Sequence, residues 1–343
     1  MSLAFKKKRT STRFIPPQQL KQELDLSLGE HGHNDQYIIN LTKQIMEKSV
    51  ATQDPLFFNQ LFAGADIYGI VGVRLNAVAN SSMYTYEMSP VFTLMEQEIF
   101  ANMAKLLKWE SKYDGLMLPG GSAANQYAIQ LARYKLNPAV HQTGIYQQAP
   151  YVIFTSDQAH YSITKSAMLL GLGKDSVIKI PTDTGGSMLI EKLEEAIQEA
   201  QAAGKQLLMI NATAGTTVLG AFDNLRAIAT LAQKYGIWLH VDAALGGCVL
   251  FSDQLRKLVD GTELVDSFTI NPHKALGAPL QCTIFMTQQT SAMATCNTLK
   301  VDYLFQEDKG YDISCDNGDK YVQCGRKVDA LKFWLMWKAR GSE

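Results

Sequence analysis

This chain has no apolar run long enough to serve as a signal peptide or a membrane span, so the sequence reads as that of a cytoplasmic protein with no membrane partner. It has little net charge. At −1 overall there is no broad basic field to attract nucleic acid or an anionic bilayer, and any anionic ligand must be held locally. The one basic cluster, Lys6 to Arg9 with Arg13 behind it, reads as a solvated tail. Cysteine is sparse: Cys248, Cys282, Cys296, Cys315 and Cys324 show no CxxC or metal-ligand spacing, which suits reduced thiols. The six histidines form no HExxH pattern, so no metal site is expected and a zinc hydrolase is disfavoured. Internal repeats, low-complexity linkers, GxGxxG and P-loop patterns are also missing, which disfavours dinucleotides and nucleoside triphosphates.

What remains is an ordinary globular composition, 46% hydrophobic and 19% charged over 343 residues, enough for a large core. Residues 1–90 are irregular in pattern and are read as an N-terminal arm. From Val91 to Trp109 apolar residues recur at helical spacing. Beyond it, short apolar runs at Leu116–Leu118, Tyr151–Phe154, Leu207–Ile210, Ile237–Val241, Ser267–Ile270 and Thr283–Met286 alternate with helical stretches such as Leu189–Gln201 and Leu225–Tyr235. Asp223 is a candidate cap and Gly236 a candidate stop for the last of these helices. Such alternation predicts an α/β fold with a mostly parallel sheet between helices, one large domain over 91–343.

Four features carry candidate chemistry. Lys274, in Asn271-Pro272-His273-Lys274, follows a predicted strand, where open α/β sheets place ligands, and a lysine there can form a Schiff base. Asp242, in His240-Val241-Asp242-Ala243-Ala244, also ends a strand and could pair with a pyridine nitrogen. Pro119 to Asn125 joins a strand to a helix through Gly120 and Gly121, a turn whose N–H groups suit a phosphate. His160 stands just past another strand and could lie on an aromatic ring. Taken singly, each has a plainer reading: a surface lysine, a helix cap or magnesium ligand, a common glycine turn, a loop histidine.

Together these segments resemble the glutamate and cysteine sulfinic acid decarboxylase branch of the pyridoxal-phosphate-dependent decarboxylases. The resemblance runs from about Phe57 to the C-terminus. It rests on Phe57 to Leu61, Tyr84 to Glu87, His160 to Ser162, Gly215 to Asp223, His240 to Ala244, Asn271 to Lys274 and Cys324 to Asp329. It implies a pyridoxal-phosphate-dependent transferase-type large domain. Lys274 then carries pyridoxal 5'-phosphate, Asp242 pairs with its ring nitrogen and His160 stacks on the ring. Ser122, Ala123, Ser267 and Asn271 match phosphate-holding positions, and Thr216 lies near the cofactor and the substrate carboxylate. Tyr303 matches the catalytic-loop tyrosine that protonates Cα, on a loop that reaches the partner's site, so a homodimer is implied.

By the same resemblance Gln60 contacts the substrate's side-chain acid, while Ser82 and Tyr84 look more like cysteine sulfinic acid decarboxylases than glutamate decarboxylases. The expected activity is decarboxylation of cysteine sulfinate, to hypotaurine, or of aspartate. The alternatives are glutamate, giving 4-aminobutyrate, or a silent cofactor-binding relative, against which Lys274, Asp242, His160 and Tyr303 all stand. An oxidoreductase lacks its glycine fingerprint, and Tyr303 disfavours an aminotransferase. Asp54 and Leu56 flank Pro55 where relatives usually have His and Arg, and Leu245 replaces a common tryptophan. The chain stops at Glu343, where the resemblance implies a small C-terminal domain with an arginine for the substrate carboxylate; that domain is expected to be absent or truncated.

Overall fold

Short apolar runs separated by amphipathic stretches satisfy their backbones by pairing beneath helices. The computed structural model, which describes residues 14–110, 112–146, 148–299 and 309–342, shows this arrangement. The chain forms two compact units, Met1–Gly64 and Ala65–Glu343.

The first unit contains α1 (Pro17–Glu23) and α2 (Asp35–Lys48); Asn34 caps α2 by accepting the Tyr37 N–H at 2.9 Å. The second runs α3 (Ile67–Ala79), α4 (Pro90–Leu106), β1 (Asp114–Leu118), α5 (Gly121–Leu136), α6 (Val140–Thr143), β2 (Tyr151–Ser156) and α7 (Ser162–Leu169). It continues through β3 (Val177–Ile180), α8 (Ile190–Ala202), β4 (Gln206–Thr213), α9 (Leu225–Tyr235), β5 (Trp238–Ala243), β6 (Ser267–Ile270), β7 (Thr283–Thr287), α10 (Ala292–Asn297) and α11 (Asp329–Arg340).

The sheet has seven strands in the order β1-β7-β6-β5-β4-β2-β3, and β7 is antiparallel to both its neighbours. It is mostly parallel, as the alternation predicts. Side chains alternate between two cores. Met117, Phe154, Ile210, Leu239, Val241, Phe268 and Ile284 pack on one side with α4, α8, α9 and α11. Leu116, Ile153, Met209, Trp238 and Phe285 pack on the other with α5 and α7. That second face is partly polar. Thr155, Asn211, His240, Ser267 and Thr287 lie side by side in register across β2, β4, β5, β6 and β7, all fully buried.

In the larger unit, which begins at Ala65, α3 lies tightly on α11: a Cβ on Gly72 would come within 2.6 Å of the Lys332 Cα. Two details differ from the sequence reading. The edge strand β3 is additional: Val177 and Ile178 are half-buried, Lys179 is exposed and Ile180 is buried, and four residues are too few to show a period. Asn224, not Asp223, caps α9 by accepting the Ala227 N–H at 3.2 Å, and Gly236 ends the helix at φ 66°. Asp223 is buried and binds two backbone N–H groups, those of Met188 and Thr213, each at 2.7 Å.

Candidate active site

The face of β5 toward α5 reads Trp238, His240, Asp242, since alternate residues share a face. Asp242 is therefore delivered, buried, to the carboxyl end of the strand. Its Oδ1 accepts the Ala244 N–H at 3.1 Å and its Oδ2 accepts from Asn125 Nδ2 at 2.7 Å. The next strand, β6, ends at Ile270 opposite Ala243, and a turn closed by Lys274 N–H donating to the Asn271 carbonyl at 2.9 Å carries Lys274 to the same edge. Burial pulls the Lys274 ammonium below the ordinary lysine range, and the Asp242 charge opposes that shift. His273 turns aside: its Nδ1 lies 2.6 Å from the Cys282 carbonyl.

His160 reaches this edge from the β2–α7 connection. Its Nδ1 lies 2.8 Å from Ser162 Oγ, burial lowers its pKa, and the charges of Asp242 and Lys274 act on it in opposite directions. The N-terminus of α5 faces the same place. Gly120 supplies no side-chain cap, and the first N–H groups of a helix have no intrahelical acceptor. A Cβ on Gly121 would fill this space, at 3.0 Å from Asn271 Nδ2 and 3.4 Å from the Ala244 Cβ. Thr283 donates to Asn271 Oδ1 at 3.0 Å, which turns the amide's Nδ2 toward Gly121.

Other sequence candidates fall in several places. Ser122 is exposed and Ala123 half-buried in the first turn of α5. Thr216 is buried just beyond β4, its Oγ1 accepting the Ala221 N–H at 3.0 Å. Ser267 is not at the edge. It begins β6 opposite His240, three residues before Ile270, with its hydroxyl engaged by Trp238 Nε1 and His240 Nδ1, each at 2.9 Å. Ser82 meets the Cys324 to Asp329 stretch, its Oγ accepting the Arg326 N–H at 3.3 Å, and Tyr84 is half-buried nearby in sequence. Gln60 is exposed in the Met1–Gly64 unit, and Tyr303 lies outside the described residues.

Sequence reading assigned no role to Asn125 or His240, though each left a trace. Asn125 is a weak helix former inside a buried helical stretch, and His240 shares the Asp242 face by a spacing of two.

A flat pyridine ring with an aldehyde and a phosphate asks for an amine, a carboxylate at the ring nitrogen, a ring to stack on and a cluster of N–H donors. Lys274, Asp242, His160 and the α5 N-terminus supply these. The hydroxyls of Thr213 and Thr269, the register neighbours of Asp242, are buried without a partner, so the surroundings of Asp242 retain polar capacity. The residues present fit pyridoxal phosphate.

Comparison with known proteins agrees. Over 328 residues the chain is 48% identical to human (Homo sapiens) cysteine sulfinic acid decarboxylase, covering 95% of this chain and 66% of that protein. It is 44% identical over 327 residues to an acidic amino acid decarboxylase of Xenopus tropicalis, covering 95% and 64%. The crystal structure of mouse CSAD superposes with a TM-score of 0.94 at 46% identity, over 97% of this chain and 69% of that one. A tryptophan decarboxylase of Catharanthus roseus is more distant, at TM-score 0.85 and 26% identity over 97% and 70%. The chain thus spans about two thirds of the length of the curated relatives it matches. The family model of the pyridoxal-dependent decarboxylase conserved domain matches residues 17–343, and the chain belongs to that family.

Proposed function

We propose that this chain decarboxylates an acidic amino acid with pyridoxal phosphate as cofactor, cysteine sulfinate or aspartate being the preferred substrate. The observation that carries this reading is the meeting of Lys274, Asp242, His160 and the α5 N-terminus at one sheet edge. Bound pyridoxal phosphate supplies an electron sink for the pair left when a bond to the substrate's Cα breaks.

Lys274 provides the amine that holds the cofactor. Its lowered pKa leaves more of it uncharged, and so nucleophilic, near neutral pH than an exposed lysine would be. Asp242, oriented through both oxygens, keeps a proton at the ring nitrogen. His160 covers one ring face. The α5 N–H groups, with Ser122, Ala123 and Asn271, hold the phosphate, and Thr216 serves the cofactor and substrate carboxylate. Tyr303 delivers the proton to Cα that completes decarboxylation.

The acidic substrate class is supported by what the two relatives are named for and by Gln60, Ser82 and Tyr84. Glutamate is the second reading, because Leu245 in place of a tryptophan leaves room for a longer acid. A homodimer is supported by α3, whose Ile67, Val71, Leu75 and Val78 form an exposed apolar stripe. No helix among the described residues is long and apolar enough to cross a membrane. We place the protein in the cytoplasm on its thiols, free at all five cysteines.

The test is borohydride reduction of the protein loaded with pyridoxal phosphate, followed by peptide mapping. The label is expected on Lys274; a label on another lysine, or none, refutes the assignment.

A further inference from the structure

Beneath the site, a chain of buried polar groups crosses the α5-facing side of the sheet. It starts at Trp238, whose indole can only donate, and Nε1 donates to Ser267 Oγ at 2.9 Å. Ser267 Oγ lies 2.9 Å from His240 Nδ1, and His240 Nε2 lies 3.0 Å from Asn125 Oδ1. Asn125 Nδ2 uses both its hydrogens: one reaches Asp242 Oδ2 at 2.7 Å, the other Ser162 Oγ at 2.9 Å. Ser162 Oγ in turn lies 2.8 Å from His160 Nδ1. Asn125, Ser162, His240 and Ser267 are fully buried, so a misdirected proton has no water to correct it.

The two ends of the chain demand one direction. An ionised Asp242 can only accept, so Asn125 must present Nδ2 to it and Oδ1 to His240. His240 then carries its proton on Nε2. Complete burial pushes its pKa down to about 4, so the ring is neutral and Nδ1 accepts from Ser267, whose oxygen is left to accept from Trp238. Reversing the chain would set the Asn125 carbonyl oxygen against the Asp242 carboxylate. On the other branch, Ser162 accepts from Asn125 and gives its own hydrogen to His160 Nδ1. The Ser162 backbone N–H points at the same nitrogen from 3.3 Å, so the His160 proton sits on Nε2.

We propose that Asn125 is a positioning residue that holds Asp242 and His160 in a single proton arrangement, and that Trp238, Ser267 and His240 fix the orientation of Asn125. Its link to the cofactor rests on the reading of this edge as the pyridoxal phosphate site; the proton arrangement itself does not.

The test combines nitrogen-15 NMR of histidine-labelled protein without cofactor, assigned with His160→Gln and His240→Gln, and titration with pyridoxal phosphate. In the parent, both histidines are expected as neutral rings protonated on Nε2 at about pH 8. Asn125→Leu, which keeps the volume and removes both branches, is expected to release His240, whose Nε2 loses its acceptor, into mixed tautomers and to weaken pyridoxal phosphate binding about tenfold or more. Trp238→Phe, which removes only the first donor, is expected to shift the His240 signals and weaken binding several-fold, and it serves as the test if Asn125→Leu does not fold. A parent His240 protonated on Nδ1 overturns the proposal. So does either variant binding within about twofold of the parent with histidine signals unchanged. A parent that binds no pyridoxal phosphate would refute the proposed function instead, while its histidine signals would still decide this one.

Discussion

Glu96 and Arg326, 230 residues apart in sequence, form a buried two-pronged ion pair, with Nη1 to Oε1 at 2.6 Å and Nη2 to Oε2 at 2.7 Å. Arg326 also donates through Nε to the Met83 carbonyl at 3.1 Å and lies 4.0 Å over the Tyr321 ring. The pair therefore ties α4 to the Ser82–Met83 stretch and to the segment that leads into α11. Breaking it from one side strands a buried charge: Arg326→Met is expected to destabilise the protein by about 3–5 kcal/mol in urea unfolding. Arg326→Lys should recover only part of this, because an ammonium cannot reproduce the planar fork. If Arg326→Met unfolds at the parent's urea midpoint, the pair is not a structural tie.

Gly121→Ala is a direct probe of the proposed phosphate cradle. The added methyl would press on Asn271 Nδ2, and pyridoxal phosphate affinity is expected to fall severalfold while thermal stability changes little. Unchanged affinity in equilibrium titration would move the phosphate away from α5.

His240 makes stability depend on pH in a definite sense. Its pKa falls from 6.5 in the unfolded chain to about 4 in the fold, so below about pH 6.5 the unfolded state takes up a proton that the native state refuses. Its share of stability is thus fully present above pH 6.5 and is lost as pH falls through about 4, up to about 3 kcal/mol. His240→Gln is expected to flatten the fall in melting temperature across that window; an equally steep fall in the variant would assign it to other groups.

Tyr303→Phe is expected to keep cofactor binding and lose net decarboxylation, on the role proposed for its hydroxyl in protonating Cα. The same rate of amine release as the parent would remove Tyr303 from the reaction.

For substrate, kcat/KM measured on one preparation is expected to rank cysteine sulfinate or aspartate above glutamate, with aromatic amino acids ignored. Ser82→Asn together with Tyr84→Phe should shift the ranking toward glutamate by about 1–3 kcal/mol in transition-state terms. An unmoved ranking would show that the choice is made elsewhere.

The sequence exposes whatever is local. Strands with continuous apolar runs, the strand-end positions of Asp242 and Lys274 and the glycine turn before α5 were all legible, because each depends on a few adjacent residues. Ser267 and Asn125 were not. Their roles depend on strand register and on contacts across the chain, His240 with Ser267 over 27 residues and Asn125 with Asp242 over 117, and no local pattern records these. The strand β3 escaped for a different reason, since Val177–Ile180 is a run of four residues interrupted by Lys179, too short to show a period. Asp223 was misjudged because a carboxylate ahead of a helix resembles a cap until its two backbone partners are seen.

The polar row from Thr155 to Thr287 has an evolutionary and practical cost. Valine or isoleucine at its positions would suit a buried strand better, and replacing buried polar groups with apolar ones of the same shape is often neutral or stabilising. Thr155 with Asn211 and His240 with Ser267 pair within the row, but apolar residues at His240 and Ser267 would leave Asn125 Oδ1 and Trp238 Nε1 buried without their partners. Drift toward apolar residues there would keep the sheet and give up the orientation proposed for Asp242 and His160.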